Sequence, residues 1–290
     1  KQTVFGIINK TGERMSEEAP DLAATRLELI CTDDILLPVD MPRVTYNLFI
    51  NFVKELDINL YSDLVNPAIK MRPFTVSQLL FTGGERRGNN FFLEAGTSCF
   101  IRFTGLNRSV VAILRQLTEK LPPTIEIADY PFTIKDYKVG DDLAARTGFS
   151  SYKTLLERNF YDVKRPSAGL SMWFLSPTLF KTDHQELPLP VPDLVFSSLL
   201  QRWNAFSPGP LPEDIRMFAG ENLRLERCRI ETRQLMVDAK NRVGFTGYVR
   251  FYAQKYERFY LQTLHSLGEL SFFSGVGYKT TAGLGQVRLG

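Results

Sequence analysis

The sequence has 290 residues, 44% of them hydrophobic, and 35 Lys and Arg against 32 Asp and Glu give a net charge of +3. Its length points to two domains of ordinary size, and the near balance of charge means that polyanion binding must come from local clusters of arginine. Three cysteines far apart argue against a disulfide scaffold and for a reducing compartment, two histidines without a ligand-spaced pair argue against a classical metal site, and no apolar run reaches the ~18 residues of a membrane span, nor is a secretory leader expected.

Residues 24–32 (ATRLELICT) alternate as a strand does, and LLPVDMP after them reads as a turn. Over 43–56 the apolar positions Val44, Leu48, Phe52, Val53 and Leu56 recur at three and four, which predicts a helix on a sheet. Tyr61 follows in DINLYSDLVNPAIKM, a connection without regular period. Strands are expected at 74–81 and 97–103, and between them GGERRGNNFF reads as an exposed loop. Its Arg86 and Arg87 are either solvated charges or phosphate contacts. A helix over 108–120 with Val111, Leu114 and Leu117 inward, then a strand over 124–134, complete the order β, α, β, β, α, β. That is the ferredoxin-like arrangement, two helices on one face of a four-stranded antiparallel sheet. No aromatic pattern of the RNP type marks its open face.

After a linking piece with the short helix SYKTLLERN come a strand, GLSMWFLS, and a segment whose four prolines exclude regular structure, SPTLFKTDHQELPLPVPD. The helix over 194–206 is apolar at Val195, Leu199, Leu200, Trp203 and Phe206. The basic stretch LRLERCRIETRQLMV carries Arg224, Arg227, Arg229 and Arg233. Strand parity turns Arg227, Arg229 and Arg233 to one side, with Arg224 on the other unless a bulge intervenes. Such a strand is either a solvated, charge-laced edge or a surface for a polyanion, which would relieve the crowding of like charges. A strand over 243–253 and a helix over 256–272 repeat the β, α, β, β, α, β order. The final GVGYKTTAGLGQVRLG lacks the spacing of a Walker loop. Gly275, Gly277, Gly283 and Gly285 with Lys279, Thr280 and Thr281 make a turn, a packing element or a phosphate contact.

FFSGVGYKTTAGLGQV, read with SPTLFKTDHQELPLP, LVFSSLLQRWNAF and RPFTVSQL, resembles the CRISPR-associated endoribonuclease family that cuts repeat RNA, the Cas-six family. The resemblance implies an α+β fold of two tandem ferredoxin-like (RRM-like) domains with antiparallel sheets, placed at 1–136 and 137–290. It implies a cytoplasmic, metal-independent nuclease without cofactors, whose partners are CRISPR repeat RNA and other CRISPR-associated proteins, with no membrane or DNA involved. In that family the 2′-hydroxyl beside the scissile phosphate attacks in line, leaving a 2′,3′-cyclic phosphate and a 5′-hydroxyl.

The chemistry asks for proton transfer and for fixed positive charge over the phosphorane. The family's leucine-histidine step appears here as Leu60-Tyr61, and its lysine position falls on Arg72 with Lys70 two residues earlier. Tyr61, Lys70, Arg72 and Tyr46 are therefore the catalytic candidates. Arg86, Arg87, Arg224, Arg227, Arg229, Arg233, Lys279, Thr280 and Thr281 are the RNA-binding candidates. His184 and His265 do not replace the missing histidine, which leaves a catalytically silent repeat-RNA-binding subunit as the alternative.

Overall fold

The computed structural model describes residues 19–38, 41–183 and 185–290. The first half runs β1 (Leu22–Cys31), β2 (Ile35–Pro38), α1 (Met41–Leu56), α2 (Ile58–Val65), β3 (Phe74–Val76), β4 (Leu80–Phe81), β5 (Glu85–Arg87), β6 (Asn90–Leu93), β7 (Ser98–Gly105), α3 (Arg108–Lys120), β8 (Thr124–Ile127), β9 (Tyr130–Lys138) and β10 (Gly148–Ser150). The second half runs α4 (Tyr152–Glu157), a π turn at Arg158–Asp162, β11 (Gly169–Thr178), β12 (Phe180–Lys181), β13 (Glu186–Leu187), α5 (Pro192–Phe206) and α6 (Asp214–Asn222). It continues through β14 (Leu223–Val237), β15 (Lys240–Ala253), α7 (Arg258–Ser274), a 3-10 turn at Thr280–Ala282 and β16 (Val287–Leu289).

The class is α+β with antiparallel sheets. One sheet has the order β3-β7-β1-β9-β8, with β4 added on β7 and β10 on β1, and the other has the order β14-β15-β11-β16. In the first half, Phe49, Phe52 and Val53 share one face of α1 because they are three and four apart. Phe49 packs 4.7 Å from Phe74 and 5.3 Å from Phe103. Helix α3 starts where the Asn107 side chain accepts from Val110 N at 3.0 Å, and it buries Val110, Val111, Leu114 and Leu117. In the second half, Leu170, Met172 and Phe174 alternate along β11 into a core with Val195, Leu199 and Trp203 of α5 and Leu264 and Leu267 of α7.

The two halves share buried surface. Leu22, Ala24, Leu106 and Tyr152 join the second core, and the Tyr152 hydroxyl donates to Leu106 O at 2.9 Å. Arg102, only 2% exposed, donates to Arg146 O at 2.8 Å, Gln286 Oε1 at 3.1 Å and Phe272 O at 2.7 Å. Its charge is thus held by carbonyl dipoles from both halves. Burial lowers its pKa well below the ordinary arginine value.

Several expectations change. Residues 124–134 are two strands, because Ala128 and Asp129 adopt left-handed φ of 52° and 66° and turn the chain. That is the primed hairpin turn made without its usual glycine. Residues 83–92 hold the hairpin β5–β6, which β2 extends into a three-stranded sheet, so they are no loop and LLPVDMP is partly strand. Tyr61 lies on α2, whose first turn is capped by Asp57 accepting from Asn59 N at 3.0 Å and Leu60 N at 2.9 Å. The helix escapes a periodicity search because it is short and buries only Leu64. His184 lies outside the described residues. Among them, no helix is long and apolar enough to cross a membrane.

Candidate active site

A cleft of about 780 Å³ opens between the halves. The start of α1 gives it Arg43, Tyr46 and Asn47, and the connection from α2 to β3 gives Lys70 and Arg72. Helix α5 gives Ser198, Gln201 and Arg202, β12 gives Lys181, and the glycine segment gives Tyr278, Lys279 and Thr281. Among the described residues, six lining side chains are cationic (Arg43, Lys70, Arg72, Lys181, Arg202 and Lys279) against one carboxylate, Asp238. Asp238 is already ion-paired with Lys279, so the cleft keeps a strong positive potential. Among the described residues, no histidine lines it.

Local chemistry places each group. Tyr46 sits one turn after Arg43 on α1, rests on Phe74 at 5.9 Å between ring centres and lines the cleft. Asn66 organises the next connection: its side chain accepts from Ala68 N and its carbonyl from Arg72 Nη2, at 2.9 Å and 2.8 Å. Lys70 is exposed in this connection and lines the cleft. Tyr61 is half-buried on the first core, with Lys54 over its ring at 5.6 Å, and does not line the cleft.

The glycine segment is folded against both halves. At Gly285, φ is 67° and an added Cβ would overlap the carbonyl of Val276. At Gly283, φ is 81° and an added Cβ would stand 2.7 Å from Gln78 N in the first half. The segment is pinned from behind by Arg202. The Arg202 guanidinium donates to Gly277 O at 2.7 Å, Thr280 Oγ1 at 3.2 Å and Ser198 Oγ at 2.6 Å, while Ser198 Oγ accepts from Gly277 N at 2.8 Å. Thr280 is buried at the cleft wall, its hydroxyl accepting from Arg202. Thr281 and Lys279 face the cleft. Lys279 itself holds a left-handed φ of 55° and so shapes the turn as well as charging it.

The remaining candidates lie elsewhere. Arg86 and Arg87 stand on the exposed β5–β6 hairpin, Arg87 paired with Glu85 at 2.8 Å and stacked 3.9 Å from the Phe92 ring centre. On β14 the register slips between Leu225 and Arg227. This bulge brings Arg224 to the same face as Arg227, Arg229 and Arg233, opposite Tyr252, Arg250, Tyr248 and Gly244 of β15. Arg233 pairs with Glu231 at 2.7 Å. His265 is on α7, its Nε2 2.8 Å from Ser167 O, away from the cleft.

Sequence reasoning missed Arg43 and Arg202. Arg202 had a signal: it falls seven residues after Val195, on the apolar stripe of α5, and a cation there needs a buried partner. Burial pushes its pKa down to about 10, which leaves it charged at neutral pH.

Residues 172–287 match the family described as CRISPR-associated endoribonuclease Cas6. The protein of that name from Mycobacterium tuberculosis is 36% identical over 120 residues, 40% of this chain and 37% of that one. The one from Streptococcus thermophilus is 29% identical over 123 residues, 41% of this chain and 49% of that one. These matched stretches span less than half of the curated relatives. Among solved structures, a Cas6 product complex is 25% identical, with a TM-score of 0.73 over 93% of this chain and 99% of that one. Thermus thermophilus Cas6, 22% identical over 94% of this chain and 99% of that one, has a TM-score of 0.69 and shows the likeness of fold.

Proposed function

We propose that this chain, which belongs to the Cas6 family of CRISPR-associated endoribonucleases, cuts CRISPR precursor RNA within its repeats by attack of a 2′-hydroxyl on the adjacent phosphate. The products are a 2′,3′-cyclic phosphate and a 5′-hydroxyl. The observation that carries the reading is the cleft of six cations and one paired carboxylate between the halves, in which Tyr46, Lys70 and Arg72 meet the glycine segment. We read each half as a ferredoxin-like unit, with residues 1–136 and 137–290 as the two domains and β10 returned to the first sheet.

In this reading Lys70, Arg72 and Arg43 hold the phosphate and stabilise the charge that grows on its oxygens. Preorganised donors of this kind each contribute about 10²–10³ in rate. Tyr46 donates its hydroxyl proton toward the leaving 5′-oxygen and regains one from solvent, while the attacking 2′-hydroxyl gives up its proton to water, and Lys279 and Thr281 hold the strand against the glycine turn. Tyr61 has no part in it. The alternative, a subunit that binds repeat RNA without cutting, is favoured by the lack of a histidine among the described residues of the cleft wall. Incubation with cognate repeat RNA in EDTA decides between them. Cleavage with a 2′,3′-cyclic end supports the nuclease, and tight binding without any product selects the silent subunit.

A further inference from the structure

The cations of the cleft suit a group that is the same on every nucleotide. Phosphate contacts fix a strand but carry no information about its sequence, so a choice among bases at the cut has to come from neutral polar side chains on the same walls. Most of those are engaged. Ser197 Oγ donates to Asp193 at 3.4 Å, Ser198 Oγ accepts from Arg202 and from Gly277 N, and Thr280 Oγ1 accepts from Arg202. The Tyr278 ring is surrounded by cations, with Lys181, Arg242 and Lys279 at 5.8, 5.4 and 5.4 Å from its centre.

Two amides are left. Asn47 and Gln201 line the cleft from opposite halves, both are exposed, and neither side chain has a hydrogen-bond partner among the described residues. The helices beneath them are well anchored. Asn47 lies on α1 between buried Thr45 and Phe49, four residues after Arg43, which makes Asn47 and Arg43 neighbours on the helix surface. Gln201 lies on α5 between Leu200 and Arg202, both buried, and Arg202 is tied to Gly277 O at 2.7 Å. Each free amide therefore stands on a fixed base, with its donor and acceptor turned to the cleft rather than to the protein.

The chemistry of the amide selects the base. It offers one donor and one acceptor side by side, which matches the N6 amino group and N7 of adenine. On that edge guanine shows two acceptors and calls for a cation, and each pyrimidine offers a single group. Unpaired bases expose these edges. We propose that Gln201 and Asn47 select adenine at the nucleotides flanking the scissile phosphate. The proposal rests on the cleft being the place where RNA is cut, and adds to it a choice of base.

The test uses the full chain and cognate repeat RNAs that carry each of the four bases, one at a time, at the two nucleotides flanking the cut. Single-turnover cleavage and binding are both measured. The parent should favour adenine at one or both positions by about 10–100-fold. Gln201→Ala and Asn47→Ala should each flatten a preference without moving the melting temperature or the salt slope, because no phosphate contact is lost. Gln201→Glu should shift its preference toward cytosine, whose N4 amino group donates to a carboxylate; a glutamine that is merely solvated would give no such exchange. Alanine variants that keep the parent's preference, or that slow every RNA equally, would overturn the proposal. A parent that cuts without favouring adenine would overturn this proposal alone. An adenine preference in binding that depends on Gln201 and Asn47, with no cutting, would support it and overturn the nuclease reading instead.

Discussion

Arg202 Nη2 donates to Gly277 O across 2.7 Å, and this contact joins helix α5 to the glycine segment that forms one wall of the cleft. The guanidinium is buried and also holds Thr280 and Ser198. Arg202→Met should leave the Gly277 carbonyl and Thr280 hydroxyl without their donor, at a cost of about 2–4 kcal/mol. Thermal melting reads the loss. In the folded fraction, kcat for repeat RNA should fall more than KM rises, because the wall that positions the phosphate is loosened.

Asp238 is the one carboxylate on the cleft wall among the described residues, and it engages Lys279. Asp238→Asn removes that charge while keeping a residue that tolerates the left-handed turn at φ 52°. Repeat-RNA affinity at low salt should rise several-fold with little change in stability, since exposed pairs of this kind contribute about 0–1 kcal/mol. Lys279→Ala should act in the opposite direction, with weaker binding and a salt slope lower by about one. Equal affinities for parent and both variants would remove Lys279 from the RNA surface.

The glycines answer to melting rather than to binding. Gly285→Ala forces a Cβ onto the Val276 carbonyl at positive φ and should cost about 2–4 kcal/mol. Gly283→Ala strikes Gln78 in the first half, so it should also loosen the junction between the halves. Limited proteolysis compared with the parent would reveal that second effect.

How much of this was legible follows from what each feature needs. The helices 43–56, 108–120 and 194–206 could be read because Phe52, Leu114 and Leu199 belong to apolar stripes with the helical period. Tyr61 was misplaced because α2 has one buried residue and its only mark is the Asp57 cap. The common face of Arg224 and Arg227 depends on a bulge at Glu226, which alternation cannot announce. Tyr46, Lys70 and Arg72 could be named from a resemblance. Their meeting with Arg202 and Asp238 is a product of tertiary docking, with partners more than 100 residues apart.

Alkaline pH tests the first core. Burial raises the Cys99 thiol from 9.0 to about 12, and burial also raises the Tyr137 hydroxyl. A folded pKa above the unfolded one gives stability that is complete below pH 9 and is lost as pH rises toward 12. The melting temperature should fall over this window, and Cys99→Ala should flatten the fall. Exposed Cys228 should react with iodoacetamide well before buried Cys31 and Cys99.

The central claim concerns one oxygen atom. Cognate repeat RNA carrying a single 2′-deoxy nucleotide on the 5′ side of the scissile phosphate should bind like the all-ribose RNA and remain uncut in EDTA, while the all-ribose RNA yields a 2′,3′-cyclic phosphate end. Cleavage of the deoxy-substituted RNA at the same bond would contradict the account, because attack would then come from water and the cleft would have to activate it.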